Sequence, residues 1–64
     1  MHIIKELREE HGLTQQQLAE RMGVTQAAVA RWESGENKLN SENLIKLADI
    51  LNTTTDALLG RDTA

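Results

Sequence analysis

The side chains that could carry out covalent or metal chemistry are few in this sequence. Cysteine is absent, and neither His2 nor His11 has the spacing of a His-Glu-x-x-His metal site. The four glycines are too far apart to form a loop that cradles a phosphate. His11 follows a helical segment, where we expect it to interact with the helix dipole rather than with a ligand. We therefore predict no catalytic residue, no metal site and no cofactor.

The segment 15–34 has the pattern of two short helices joined by a tight turn at Gly23. Glycine can adopt the positive φ that such a turn requires, and Ala19 is small enough for the two helices to cross closely. Val29 and Trp32 are three residues apart, so they should bury one face of the second helix and leave its other face exposed. A helix presented in this way fits the major groove of DNA, which is about 12 Å wide.

Helical periodicity and capping residues predict the elements that position this unit. Thr14 and Gln17 form a capping-box pattern, and Thr25 can cap the following helix. No segment has the pattern of a strand. We predict an all-α fold, a compact domain of five short helices, with approximate bounds Ile3–His11, Thr14–Met22, Thr25–Ser34, Asn40–Leu51 and Thr54–Leu59.

Composition limits the classes of protein to which the chain can belong. Its 64 residues suffice for one small domain, and no apolar run approaches the length of a membrane span. The net charge of −3 argues against strong electrostatic binding to nucleic acid. The central segment 14–38 is neutral, however, because Arg21, Arg31 and Lys38 balance three glutamates there. The acidic excess therefore lies towards the two ends of the chain.

Residue types and spacing over nearly the whole chain resemble the Cro and phage-repressor (xenobiotic response element) type helix-turn-helix family. The resemblance lies in segments 13–19 and 23–26, in Val29, in Trp32-Glu33 and in Gly35, and it extends from the first helix to 58–60. It implies a lambda-repressor-like fold in which helices 2 and 3 form the helix-turn-helix. One departure is the loop 36–40, which has a single lysine where the family often has several basic residues and a proline.

The resemblance implies that helix 3 is the recognition helix, which enters the major groove, and that three of its residues contact bases. Gln26 has the donor and acceptor that pair with adenine, and Arg31 has the fork that pairs with guanine O6 and N7. Ala27 offers a methyl group suited to the methyl group of thymine. The same resemblance implies phosphate contacts from Gln15, Thr25 and Lys38, the first of them at a helix N-terminus that attracts anions.

Arg8 and Glu33 stand at positions that form a partly buried ion pair in similar repressors. This pair would tie the first helix to the end of the recognition helix, so we expect its role to be structural.

The resemblance implies a sequence-specific regulator of transcription that binds double-stranded DNA. We expect a repressor that binds a two-fold symmetric operator as a homodimer in the cytoplasm. Residues 1–60 would form the DNA-binding domain and 61–64 a flexible tail.

Other interpretations of the same residues remain open. Gln26 and Arg31 could be ordinary solvated residues, and Gln15 could serve only to form the helix. The acidic balance and the three alanines of the recognition helix favour a protein-interaction module with the same fold, such as an antitoxin or an adaptor. The chain could also be the N-terminal module of a longer regulator.

Overall fold

Helices make up most of the chain in the computed structural model, which describes residues 2–58 and their side chains except those of His2 and Asp56. Four helices contain two or more turns, and a single helical turn follows them. Their bounds are α1 His2–Glu10, α2 Gln15–Met22, α3 Gln26–Ser34, α4 Ser41–Ile50, and a final helical turn Thr55–Leu58. The described residues include no strand, in agreement with the all-α prediction.

The prediction of five helices is wrong in its count. Only α1 to α4 are full helices, whereas the last predicted helix is reduced to four residues in the described part of the chain. A segment of four residues forms few internal hydrogen bonds and depends on packing against its neighbours. Leu59, Gly60 and the predicted tail 61–64 lie outside the described residues.

Short polar side chains begin the helices at the places that the sequence indicates. The Thr14 hydroxyl accepts a hydrogen bond from the Gln17 amide at 3.0 Å, and the Gln17 side chain accepts one from the Thr14 amide at 2.9 Å. Thr25 caps α3 through the Ala28 amide, and Asn40 caps α4. These contacts satisfy backbone donors that have no partner inside a helix. The N-terminal ends of α2, α3 and α4 are therefore determined locally.

The turn between α2 and α3 depends on the backbone of Gly23. Its φ of 74° lies in the left-handed region, which costs glycine little because it has no Cβ. In this conformation the Val24 amide donates to the Ala19 carbonyl at 3.0 Å, which closes the end of α2. The chain then turns directly into α3.

One apolar core holds α3 in place. Val29 is fully buried and Trp32 is 5% exposed, so these two residues fix the inner face of α3. The other buried apolar side chains come from α1, α2, α4, the final helical turn and the residues just outside these helices. They are Ile4, Leu13, Leu18, Ala19, Met22, Leu47, Ala48, Leu51 and Leu58. His11 adds a polar link, since its Nε2 lies 2.8 Å from the Leu51 carbonyl oxygen and can donate to it. The sequence had suggested only a dipole interaction for this histidine.

Candidate nucleic-acid interface

The exposed face of α3 carries the three residues predicted to contact bases. Gln26, Ala27 and Arg31 are all exposed, whereas Val29 and Trp32 face the core. Ala27 and Arg31 are four residues apart and therefore lie on one side of the helix. Gln26 lies in the first turn, beside Ala27. The result is a row of one amide, one methyl group and one guanidinium on a rigidly packed helix.

A hydrogen bond joins Gln26 to α2. The Gln26 Nε2 group donates to Gln15 Oε1 at 2.7 Å, so the first residue of α2 supports the first residue of α3. Both side chains keep hydrogen-bonding capacity beyond this contact, because each amide has two donor hydrogens and an oxygen with two lone pairs. Gln26 is therefore oriented before any ligand arrives.

Glu33 connects this pair of amides to α1. Gln15 Nε2 donates to Glu33 Oε1 at 3.1 Å. Arg8 donates to the same carboxylate from Nε at 2.7 Å and from Nη2 at 3.2 Å, while its Nη1 donates to the Leu13 carbonyl oxygen at 2.8 Å. The side chains of Arg8 and Glu33 are only 10% and 7% exposed. Hydrogen bonds thus lead from the interior of the domain out to the exposed Gln26.

The charges of this ion pair are stabilised by their mutual contact. Burial of the Glu33 carboxylate favours its neutral form, but hydrogen bonds from Arg8 and Gln15, together with the positive charges of Arg8 and Lys5, outweigh that effect and lower its pKa. The hydrogen bond to Glu33 raises the pKa of Arg8 against the opposing effect of burial. Both groups are therefore charged at neutral pH, and Glu33 offers only acceptors to its neighbours.

The three residues predicted to contact phosphate lie in different settings. Gln15 is half-buried and already bonded to two side chains, as described above. Thr25 is exposed, and its hydroxyl oxygen accepts from the Ala28 amide at 3.2 Å, which leaves the hydroxyl hydrogen available as a donor. Lys38 is exposed in the loop between α3 and α4. The structure brings Gln15 and Gln26 together. Lys38 lies later in the sequence, in the loop that follows α3.

Arg31 has an anionic neighbour just after the end of α3. Its Nε lies 3.9 Å from Glu36 Oε2, and the two side chains are 55% and 69% exposed. Such an exposed pair contributes little to stability and yields readily to another partner. The Arg31 guanidinium can therefore turn towards a ligand, although Glu36 competes with an anionic one.

An open groove of about 660 Å³ lies beside Gln26. It separates the end of α1 from the start of α2, and its lining residues are Arg8, Glu9, Gly12, Leu13, Thr14, Gln15, Gln16 and Gln26. Among the side chains that the structure describes, no group of histidine or acidic residues is arranged to hold a metal ion. Within residues 2–58, no helix is long and apolar enough to cross a membrane.

Sequence reasoning missed the links that join Gln15 to Gln26 and to Glu33. These partners are separated by 11 and 18 residues, so no local spacing pattern indicates them. The only available signal was the closeness of the two helix starts, which a helix-turn-helix arrangement implies. That signal places Gln15 near Gln26, but it does not show that Glu33 reaches the same amide.

Comparisons with known proteins agree with this geometry. A family model described as helix-turn-helix matches residues 4–58. The chain is 39% identical over 56 residues to the HTH-type transcriptional activator BcrR of Enterococcus faecalis, and the match covers 88% of this chain and 28% of that protein. It is 42% identical over 48 residues to the cryptic phage CTXphi transcriptional repressor RstR of Vibrio cholerae, and here the match covers 75% of this chain and 43% of the repressor.

A solved structure matches almost the whole chain. The DNA-binding domain of the P22 C2 repressor superposes with a TM-score of 0.83 at 33% identity, covering 95% of this chain and 80% of that domain. The relatives are named as regulators of transcription and not as enzymes. These matches confirm the resemblance that the sequence motifs indicated. The chain therefore belongs to the helix-turn-helix family, of the type found in Cro and the phage repressors.

Proposed function

We propose that this chain binds double-stranded DNA sequence-specifically and regulates transcription, with α3 placed in the major groove. The observation that supports this most directly is the exposed row of Gln26, Ala27 and Arg31 on a helix whose opposite face is buried. An α-helix fits the major groove, and these side chains complement base edges there. The names of the relatives support the same function.

Each residue has a distinct proposed role in the complex. Gln26 pairs with adenine, Arg31 with guanine and Ala27 with the methyl group of thymine. Phosphate contacts come from Gln15 at the start of α2, from Thr25 and from Lys38. The Arg8–Glu33 ion pair holds α1 against α3 and is not placed against DNA.

The regulator acts, in this proposal, as a homodimer on a two-fold symmetric operator and represses transcription by covering a promoter in the cytoplasm. Residues 1–60 form the DNA-binding domain. The chain spans 28% and 43% of the length of the two relatives described above. The binding function needs neither catalysis nor a cofactor, because hydrogen bonds and charge suffice to recognise DNA.

Selection of bound sites from a random duplex pool tests this function. We expect enriched sequences to share an inverted repeat whose half-sites are about one helical turn apart. Ala27→Glu places a carboxylate on the exposed face of α3 and should abolish binding to the selected site. Ile45→Glu adds the same charge on α4, where the native side chain is 63% exposed, and should bind like the wild type. Failure to enrich any sequence would overturn the proposal.

A protein-interaction module is the second candidate function. The net charge of −3 and the Glu36 carboxylate beside Arg31 both weaken attraction to phosphate. A module of this kind would bind random duplex weakly, lose that binding at modest salt and show no preferred sequence. The same selection experiment therefore separates the two functions.

A further inference from the structure

We propose that Glu33 is a positioning residue for base recognition, because through Gln15 it determines which edge of the Gln26 amide faces the DNA. This inference rests on the proposed function, in which Gln26 contacts a base. It gives Glu33 a part in specificity beyond its ion pair with Arg8.

The Glu33 carboxylate fixes which group of each following side chain donates a hydrogen bond and which accepts it. An ionised carboxylate accepts hydrogen bonds and cannot donate them. Gln15 can therefore approach Glu33 Oε1 only with its NH₂ group, which is the observed contact at 3.1 Å. The oxygen of the Gln15 amide must then point the other way. An uncharged amide at position 33 has a donor as well as an acceptor, so it could reverse this direction.

The orientation of the Gln15 amide in turn fixes the orientation of the Gln26 amide. Gln15 Oε1 accepts from Gln26 Nε2 at 2.7 Å, which uses one of the two hydrogens on that nitrogen. The second N–H and the Gln26 oxygen remain available side by side. Adenine presents the matching pair in the major groove, an acceptor at N7 and a donor at N6. The amide thus displays the pattern that reads adenine before DNA arrives.

The Glu33 carboxylate, where this series of hydrogen bonds begins, is held in place by Arg8. Arg8 binds the Glu33 carboxylate through two nitrogens and the Leu13 carbonyl through a third. The Arg8 and Glu33 side chains are 10% and 7% exposed, so neither moves freely in solvent. Gln15 and Gln26 are long side chains that would otherwise sample several rotamers. A fixed end therefore reduces the entropy that Gln26 loses on binding.

Glu33→Gln tests the direction of the hydrogen bonds. Arg8 Nε, at 2.7 Å from Oε2, should hold the oxygen of the new amide. The new NH₂ group would then face Gln15 and force that amide to turn over. Gln26 would in turn present its NH₂ group outward and its oxygen towards Gln15. Guanine offers two acceptors in the major groove, so the variant should shift preference from adenine towards guanine.

The measurement uses duplexes of the sequence selected by the wild-type chain. Gln26→Ala first identifies the base pair that Gln26 reads, as the position where preference is lost. Affinities for all four base pairs at that position are then measured for each variant. We expect Glu33→Gln to lower the adenine-over-guanine ratio there by about tenfold, the scale of one bidentate contact. Preferences at the other positions should persist.

Two further variants keep the result interpretable. Glu36→Gln removes the same charge from an exposed position and should leave the ratio unchanged. If Glu33→Gln alone does not fold, Arg8→Met/Glu33→Gln also removes the guanidinium that would remain buried without its partner. In that background the direction is no longer imposed, and the adenine preference should again fall by about tenfold.

Two results would overturn the inference, and they have different consequences. If folded Glu33 variants weaken all sequences equally and keep the adenine preference, Glu33 has only a structural role while the proposed function stands. If the wild-type chain selects no sequence at all, the proposed function fails and this inference fails with it.

Discussion

Arg31 illustrates how one exposed side chain can exchange partners. In the free protein its guanidinium is 3.9 Å from the Glu36 carboxylate, and both groups are exposed. An ion pair of this kind is weak in water, whereas two parallel hydrogen bonds to guanine are specific in geometry. In the proposed complex, shape more than charge therefore decides the partner of Arg31.

We predict that Arg31→Ala loses roughly 1–3 kcal/mol of discrimination at a single base pair, as expected for one bidentate contact. Fluorescence titration of operator duplexes with each base at that position measures the loss. Arg31→Lys is the matched control, because it keeps the charge but lacks the fork. It should retain most of the overall affinity while losing part of the discrimination. Equal weakening on every duplex would identify Arg31 as a phosphate contact instead.

The Arg8–Glu33 pair predicts how stability depends on pH. Since the pKa of Glu33 is lowered on folding, its ionised form stabilises the folded state above the pKa of an unfolded glutamate, about 4.3. This stabilisation should be lost as the pH falls through the lower, folded value. Urea unfolding of the wild type and of Glu33→Gln should show a difference in unfolding free energy that narrows on acidification. An unchanging difference would contradict the assignment, and Glu36→Gln serves as the exposed control.

At the scale of elements, the turn between α2 and α3 sets how the recognition helix is presented. Gly23 has a φ of 74°, and a Cβ at that residue would meet no other atom within 4 Å. A substitution there should therefore act through backbone strain and not through a clash. The angle between the two helices depends on one backbone conformation.

We predict that Gly23→Ala lowers the free energy of unfolding by about 1 kcal/mol, the scale of left-handed strain in a residue with a Cβ. Gly23→Asn should cost less, because asparagine tolerates this conformation better than alanine does. Urea denaturation of the three proteins gives the comparison. A larger loss for asparagine than for alanine would show that bulk, and not φ, limits this position.

At the scale of the whole molecule, the acidic composition should make DNA binding less sensitive to salt than in a basic repressor. The net charge is −3, and the proposed interface has Arg31 and Lys38 as its exposed cations, because Arg8 is bound to Glu33. Few condensed cations would then be released on binding. The contribution of base contacts becomes correspondingly more important.

We predict a slope of log affinity against log salt of about −3 to −4, from two cationic contacts per subunit of a dimer at roughly 0.9 each. Glu36→Lys should tighten binding to all sequences and steepen the slope with little change in base preference. Asp49→Lys makes the same change of charge at an exposed residue in the last turn of α4 and is the control. A wild-type slope near −8 would show that about half of the cationic contacts have been overlooked.

Local interactions explain why the sequence alone determined much of this fold. The capping residues Thr14, Thr25 and Asn40 accept hydrogen bonds from amides three positions away, and Gly23 affects only its own backbone conformation. The sequence near each of these residues is therefore enough to predict its role. The spacing of Val29 and Trp32 likewise indicated which face of α3 is buried. The count of five helices was wrong, since the last element has only four described residues and so short a helix is decided by packing and not by its own residues.

The tertiary structure decided how the candidate site is connected. Gln15 meets Gln26 and Glu33 across 11 and 18 residues, and Arg8 meets Glu33 across 25. The family resemblance placed Arg8 near Glu33, but the pattern of residues contained no sign that Gln15 lies between Glu33 and Gln26. Residue types specify what each side chain can donate or accept, whereas the packing of α1, α2 and α3 determines which donors and acceptors come within hydrogen-bonding distance of one another.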